Sequence, residues 1–173
     1  MENKQTVTVI GAGLAGSEAA WQIAQAGYSV RLFEMKPQKF SPAHKSAGFA
    51  ELICSNSLKA ARINSAAGLL KEEMRRMDSL LVACADKTAV PAGGALAVDR
   101  DRFSELVTKA ITEHPNIEVM HGEVTEIPAE GVTVIASGPL TSDTLAEQIT
   151  DLCGGALSFF AVSYTHLRAH ETP

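Results

Sequence analysis

Gly11, Gly13 and Gly16 stand in the spacing G-x-G-x-x-G, and Glu34 follows 18 residues after the last of them. Glycines so spaced do separate mechanical jobs. The first permits a tight turn, the second lets the backbone approach a pyrophosphate, and the third lets a helix pack closely on a strand. An acid at that distance accepts hydrogen bonds from ribose hydroxyls and opposes a 2′-phosphate. The chemistry open to these four residues is the holding of an NAD- or FAD-like dinucleotide, its phosphates resting on the unpaired N–H groups of a helix start. Cys54 offers a second kind of chemistry. A thiolate reacts at neutral pH when cations lower its pKa, and Lys45, Lys59 and Arg62 are near it in sequence. Taken by itself, Cys54 reads more readily as a small buried apolar residue than as a reactive thiol.

The elements that must position these groups are legible around them. Residues 6–10 (TVTVI) form a β-branched run expected as a buried strand. A helical pattern runs from the glycines to about Ala26, with Ala15, Ala19, Ala20, Ile23 and Ala24 on its apolar side, and Gly27 ends it. Residues 29–34 (SVRLFE) form a second strand closing on Glu34. The order strand, glycine turn, helix, strand, acid within one βαβ unit is far more specific than the glycines alone. Residues 117–127 are expected as one or two strands and residues 132–138 (VTVIASG) as a buried strand ending in small residues. This order resembles the FAD domains of the glutathione-reductase type. That resemblance implies an α/β, Rossmann-like FAD-binding domain, a parallel sheet with flanking helices, here truncated. It also makes Val124, Ser137 and Gly138 candidate cofactor contacts.

Between these strands the chain is less regular. Residues 35–64 read as a long connection, and long ordered excursions in compact domains tend to carry function. Residues 66–86 are expected as one amphipathic helix, with Leu70, Met74, Met77, Leu81 and Cys84 forming its core stripe. Cys84 on that stripe is expected to be buried and inert. Gly93 and Gly94 mark a turn, residues 95–98 a short strand, and Asp99 the N-cap of a helix over about 101–113. Among the histidines His44, in the basic loop, is the best candidate for a role beyond the surface.

Composition narrows the class. The 173 residues carry a net charge of −5 and are 46% hydrophobic, the profile of one globular domain. No apolar run is long enough for a membrane span, and the start of the chain lacks the pattern of a secretory signal. Three scattered cysteines give neither a disulfide framework nor zinc spacing, which points to a reducing, cytoplasmic compartment. Charge is uneven: residues 31–76 hold nine Lys/Arg against four Asp/Glu, leaving room for one phosphate-facing surface in an acidic chain.

Five segments together carry a sharper resemblance: GAGLAGSEAAWQIAQAG, FAELICSNSLKA, GLLKEEMRRMDSLL, VPAGGALAVDRDRFSE and TVIASGPLTSDTLAE. Over about residues 5–160 the chain resembles the bacterial folate- and FAD-dependent tRNA uridine C5-methyltransferases, the TrmFO family. The related GidA-type tRNA-modifying flavoproteins share the nucleotide fold but carry a C-N-P-x-x-G-G-I run where this chain has CSNSL. The resemblance implies that methylenetetrahydrofolate gives a one-carbon unit through reduced flavin to C5 of a T-loop uridine in tRNA, with NAD(P)H as reductant. It implies that Gly11, Ala12, Gly13, Leu14, Ala15, Gly16 and Glu34 bind FAD, and that Cys54 corresponds to the family cysteine beside the flavin. The competing expectations are a GidA-type wobble-uridine enzyme, a NAD-linked oxidoreductase and a bare dinucleotide-binding module.

The family's chains are much longer. Residues 1–161 are therefore expected to be an incomplete FAD domain, inactive alone, with a second reactive cysteine and most of the folate and tRNA surface absent. Residues 162–173 (VSYTHLRAHETP) leave the family pattern abruptly and read as a non-native tail. His166, His170 and Glu171 there lack the HExxH order and a third ligand, so no metal site is expected.

Overall fold

A computed structural model describes residues 5–155, so the expectations for residues 162–173 lie outside the described residues. β1 (Thr6–Ile10) runs directly into the glycine turn and α1 (Leu14–Gln25), and β2 (Ser29–Glu34) returns parallel to β1 with Ile10 opposite Phe33. The β-branched residues of β1 suit a strand covered on both faces, and four of its five are buried. α1 stops where Gly27 adopts φ +87°, a conformation that costs other residues a Cβ clash. Its buried side is Gly16, Ser17, Ala20 and Ala24, whereas Ala15 is exposed.

The chain then makes its long excursion through β3 (Ser57–Ala60), α2 (Ala66–Arg76), α3 (Leu80–Lys87), β4 (Ala89–Val90), β5 (Ala95–Val98) and α4 (Arg100–Thr112). It re-enters the main sheet at β6 (Ile117–His121) and β7 (Val132–Ile135), then forms a 3₁₀ turn over Gly138–Leu140 and α5 (Asp143–Cys153). The main sheet is parallel throughout, in the order β6-β2-β1-β7; a smaller antiparallel sheet has the order β3-β5-β4. One face of α4 presents Phe103, Val107 and Ile111 at helical spacing, all fully buried. They join Val9, Val30, Leu32, Ala20, Ala24 and Phe49 in one core between sheet and helices. Asp99 caps α4 by accepting from Arg102 N at 3.1 Å.

Two expectations are corrected. The single helix over 66–86 is two helices. Asp78, at φ +54°, cannot continue a right-handed helix, and Ser79 caps α3 by accepting from Val82 N. Glu18 of α1 fixes the break, accepting from Ser79 Oγ and Leu81 N, both at 2.9 Å. The proposed core stripe turns outward on α2, where Leu70 is 57% and Met77 70% exposed. α2 instead packs through Gly68, where a Cβ would collide with Arg62 O, and through Lys71, whose Nζ donates to Ala60 O and Ala67 O. Second, the connection over 35–64 contains β3, paired with β5. Of the one or two strands expected over residues 117–127 there is one, and Glu123 and Val124 lie beyond its end, past Gly122 at φ +148°.

Candidate functional site

In a parallel sheet the strands point their carboxyl ends to one edge, and ligands settle there at the point where the strand order reverses. Here β1 sends the chain to β2 on one side and has β7 on the other. At that edge lies a cleft of about 640 Å³ including its open mouth. Its walls are the strand ends themselves: Ile10 and Gly11 after β1, Phe33 and Glu34 of β2, Glu123 and Val124 after β6, Ala136 and Ser137 after β7. Backbone bonds prolong the sheet to the rim, with Gly11 N donating to Phe33 O (2.8 Å), Ala136 N to Ile10 O (2.8 Å) and Gly122 N to Glu34 O (2.9 Å).

The three glycines differ in their surroundings. Gly11 has φ +98°, and a Cβ there would stand 2.7 Å from Ala136 O. A Cβ at Gly16 would collide with Gly11 O, so this glycine sets the approach of α1 to the turn. At Gly13 a Cβ would meet nothing within 4 Å. Gly13 is also the N-cap of α1 and has no side chain to satisfy the first-turn amides. Open space facing a glycine, beside unpaired N–H groups at the positive end of a helix, is a cradle for a phosphate.

Glu34 is buried, with 6% of its surface exposed. Its Oε2 accepts from Ala12 N and its Oε1 from Lys36 N, both at 3.0 Å. The two amides fix the carboxylate on the cleft wall and leave each oxygen further acceptor capacity. Ala12 is fully buried and ties three parts together, its carbonyl accepting from Ala50 N and Ser17 Oγ.

The loop after β2 supplies a wall that motif spacing does not announce. Lys36, His44 and Glu51 line the cleft. Lys36 Nζ donates to Gly48 O at 2.6 Å and lies 3.8 Å from Glu51. Glu51 in turn accepts from Lys45 N and Ser46 N. His44 Nδ1 is 2.6 Å from Ser41 Oγ, and burial followed by the Lys36 charge lowers the ring's pKa from its usual value. Across the mouth Lys39 donates to both oxygens of Glu123 at 2.7–2.8 Å, and this bond, with one from Ser142, holds the Glu123 carboxyl below the usual range.

The cleft thus brings together Gly11, Gly13, Glu34, Val124 and Ser137. Ala12 and Gly16 stand behind it as packing residues, and Leu14 and Ala15 are exposed at the start of α1. Gly138, at φ +71°, opens the 3₁₀ turn and is not on the cleft lining. Cys54 is also off the lining: it is exposed, three residues beyond Glu51. Lys36, Glu51, Thr141, Ser142 and Leu145 complete the cleft without any signal in the glycine motif. The Ser41-x-x-His44 spacing in a proline-bounded loop is the sequence cue for the His44 wall. Among the described residues no helix is long and apolar enough to cross a membrane, and no group of His, Cys, Asp or Glu is placed to hold a metal.

Comparison with known proteins bears on this geometry. The profile of the family described as "Glucose inhibited division protein A" matches residues 6–161. A Lactobacillus gasseri protein named "Methylenetetrahydrofolate--tRNA-(uracil-5-)-methyltransferase TrmFO" is 60% identical over 157 residues, 90% of this chain and 36% of that one. A Geobacter sulfurreducens protein of the same name is 62% identical over 154 residues, 89% of this chain and 36% of that one. The chain therefore spans about 36% of the length of these curated relatives. Among solved structures, Aquifex aeolicus GidA in its form I crystal superposes with a TM-score of 0.61 at 19% identity, covering 79% of this chain and 25% of that one. The form II crystal gives 0.58, covering 74% and 21%. At that identity the likeness establishes the fold, a Rossmann-like α/β sheet flanked by helices.

Proposed function

The chain belongs to the glucose inhibited division protein A family, and from that premise we propose that it forms the nucleotide-binding part of a folate- and FAD-dependent tRNA uracil-5-methyltransferase. The observation that carries the FAD reading is the cleft at the sheet's carboxyl edge, with Gly13 facing open space and Glu34 fixed beside it. What favours methyl transfer over a GidA-type reaction is the 60–62% identity to relatives named for it, together with CSNSL where the GidA type has C-N-P-x-x-G-G. Methylenetetrahydrofolate and NAD(P)H are the co-substrates and tRNA the partner in this reading.

The residues present fit the cofactor. The first-turn amides of α1, at Leu14 and Ala15, donate to its diphosphate, and Gly13 admits the phosphates to contact distance. Glu34 accepts from the ribose hydroxyls with the lone pairs left by Ala12 N and Lys36 N, and its charge opposes a 2′-phosphate. Val124 and Ser137, which line the cleft, would border the adenosine and the underside of the cofactor, whereas Gly138 lies off the lining. Bound there, the flavin supplies one-carbon and hydride chemistry for which side chains have no equivalent. Cys54 is the candidate reactive thiol, and its exposure leaves it accessible to a partner.

A chimaera tests this reading. This chain replaces the matching portion of the Lactobacillus gasseri relative, and the product is assayed for carbon transfer from methylenetetrahydrofolate to tRNA. A yellow protein that methylates uridine is the expected result. A yellow protein that leaves uridine unmethylated would refute the methyltransferase reading, and a colourless protein stabilised by NAD would refute the flavin as well.

A further inference from the structure

Every polar side chain on the loop wall of the cleft is engaged except one edge of His44. Glu34 accepts from two amides, Lys36 Nζ donates to Gly48 O, and Glu51 accepts from Lys45 N and Ser46 N. Ser41 Oγ accepts from Ala43 N at 3.4 Å and lies 2.6 Å from His44 Nδ1, so its own proton is available to that nitrogen. A neutral imidazole that accepts at Nδ1 carries its proton on Nε2. Nε2 has no partner among the described residues. Nor is it one of the buried side-chain atoms left unpaired among the described residues, Trp21 Nε1 and Thr133 Oγ1, so it is reached by solvent, on a residue that lines the cleft. Ser41 itself is buried, which holds the ring in place.

We propose that His44 is a further anchor of the cleft, donating from Nε2 to an oxygen of the ribose–phosphate half of the bound dinucleotide; this rests on the dinucleotide reading above. The charged groups around the ring are Lys36, Glu34 and Glu51, and Glu123 on the opposite wall is already paired with Lys39. Burial and Lys36 keep the ring neutral at pH 7, with Glu51 and Glu34 opposing them. A diphosphate brought close adds negative charge and favours protonation. Binding therefore takes up a proton, and affinity rises as pH falls through the titration of His44.

The test titrates FAD, ADP-ribose, adenosine and riboflavin into the 173-residue chain and into H44A and H44Q. H44A is expected to weaken FAD and ADP-ribose about three- to tenfold, the range of one neutral hydrogen bond, and to leave riboflavin unchanged. H44Q retains an N–H donor and is expected to stay within about twofold of the unchanged chain, but both variants lose the rise in affinity as pH falls below 7. A loss shared by adenosine places the acceptor on the ribose; a loss confined to the phosphate-bearing ligands places it on the diphosphate. An H44A chain that binds FAD as tightly as the unchanged one overturns the proposal. So does a weakening in H44A and H44Q alike that keeps the pH slope and tracks a lower ligand-free melting temperature, since that is a packing role. If the unchanged chain binds none of these ligands, the dinucleotide reading itself fails, and this anchor with it.

Discussion

Gly13 and Gly16 are three residues apart in one motif, yet the structure gives their alanine variants opposite consequences. In G16A the new Cβ collides with Gly11 O, stands 2.9 Å from Gly11 C and comes within 3.3 Å of Ala136 Cβ. The first two obstacles are backbone held by the sheet, since Gly11 N donates to Phe33 O and the neighbouring Ala136 N to Ile10 O. The helix must therefore move, and overpacking of this kind costs about 1–3 kcal/mol. Alanine's better helix propensity returns up to about 1 kcal/mol, so a net loss of about 1–2 kcal/mol is expected. For a chain of this size that lowers Tm by roughly 2–8 °C. In G13A the Cβ enters open space at φ −70°, which alanine adopts freely, and Tm is expected to change by less than about 2 °C. That same Cβ stands where the diphosphate must approach, so FAD affinity is expected to fall by about tenfold or more. Thermal melting without ligand and flavin fluorescence titration separate the two effects. If G13A binds FAD like the unchanged chain, the space facing Gly13 is not the phosphate cradle and the site has been misread.

Three further outcomes follow from other parts of the molecule. Glu34→Ala strips Ala12 N and Lys36 N of their partner in a buried place and is expected to cost about 1–3 kcal/mol in urea unfolding, besides removing ribose recognition. Burial raises the Cys84 thiol pKa, and Cys54 and Cys153 are exposed, so a thiol reagent under native conditions should label the latter two quickly and Cys84 only after unfolding. Because Lys39 and Ser142 lower the Glu123 pKa, the tie between the loop and the end of β6 is intact above the ordinary carboxylate range and is lost as pH falls through the lowered value. Amide exchange of residues 36–41 should accelerate there, and also in high salt at neutral pH because the pair is exposed.

The βαβ start was legible because each local signal agreed with the next. The β-branched run of β1, the helical repeat of α1, Gly27 as terminator and Glu34 at the end of β2 all demand the same geometry. The loop wall was not, because nothing in the order of residues 35–51 says that Lys36, His44 and Glu51 converge. Their convergence depends on Ala50 N reaching Ala12 O and on Thr108 of α4 holding Phe49 N, contacts set by the tertiary fold. The failure at residues 66–86 has a different cause. Hydrophobic periodicity reports that a face is apolar, not what it meets, and the 4-3-4-3 stripe ran across a break made by Asp78 and Ser79. The informative residue there was Gly68, since a glycine inside a helix commonly marks the side where another backbone comes close. Here that backbone is Arg62, and the short distance turns Lys71 inward to the carbonyls of Ala60 and Ala67 and leaves Leu69 and Leu70 facing out. Gly16 and Gly68 therefore carry one physical message in two settings: each sets how near a helix may come to a turn. Only the first lies in a motif whose spacing had already told which side was close.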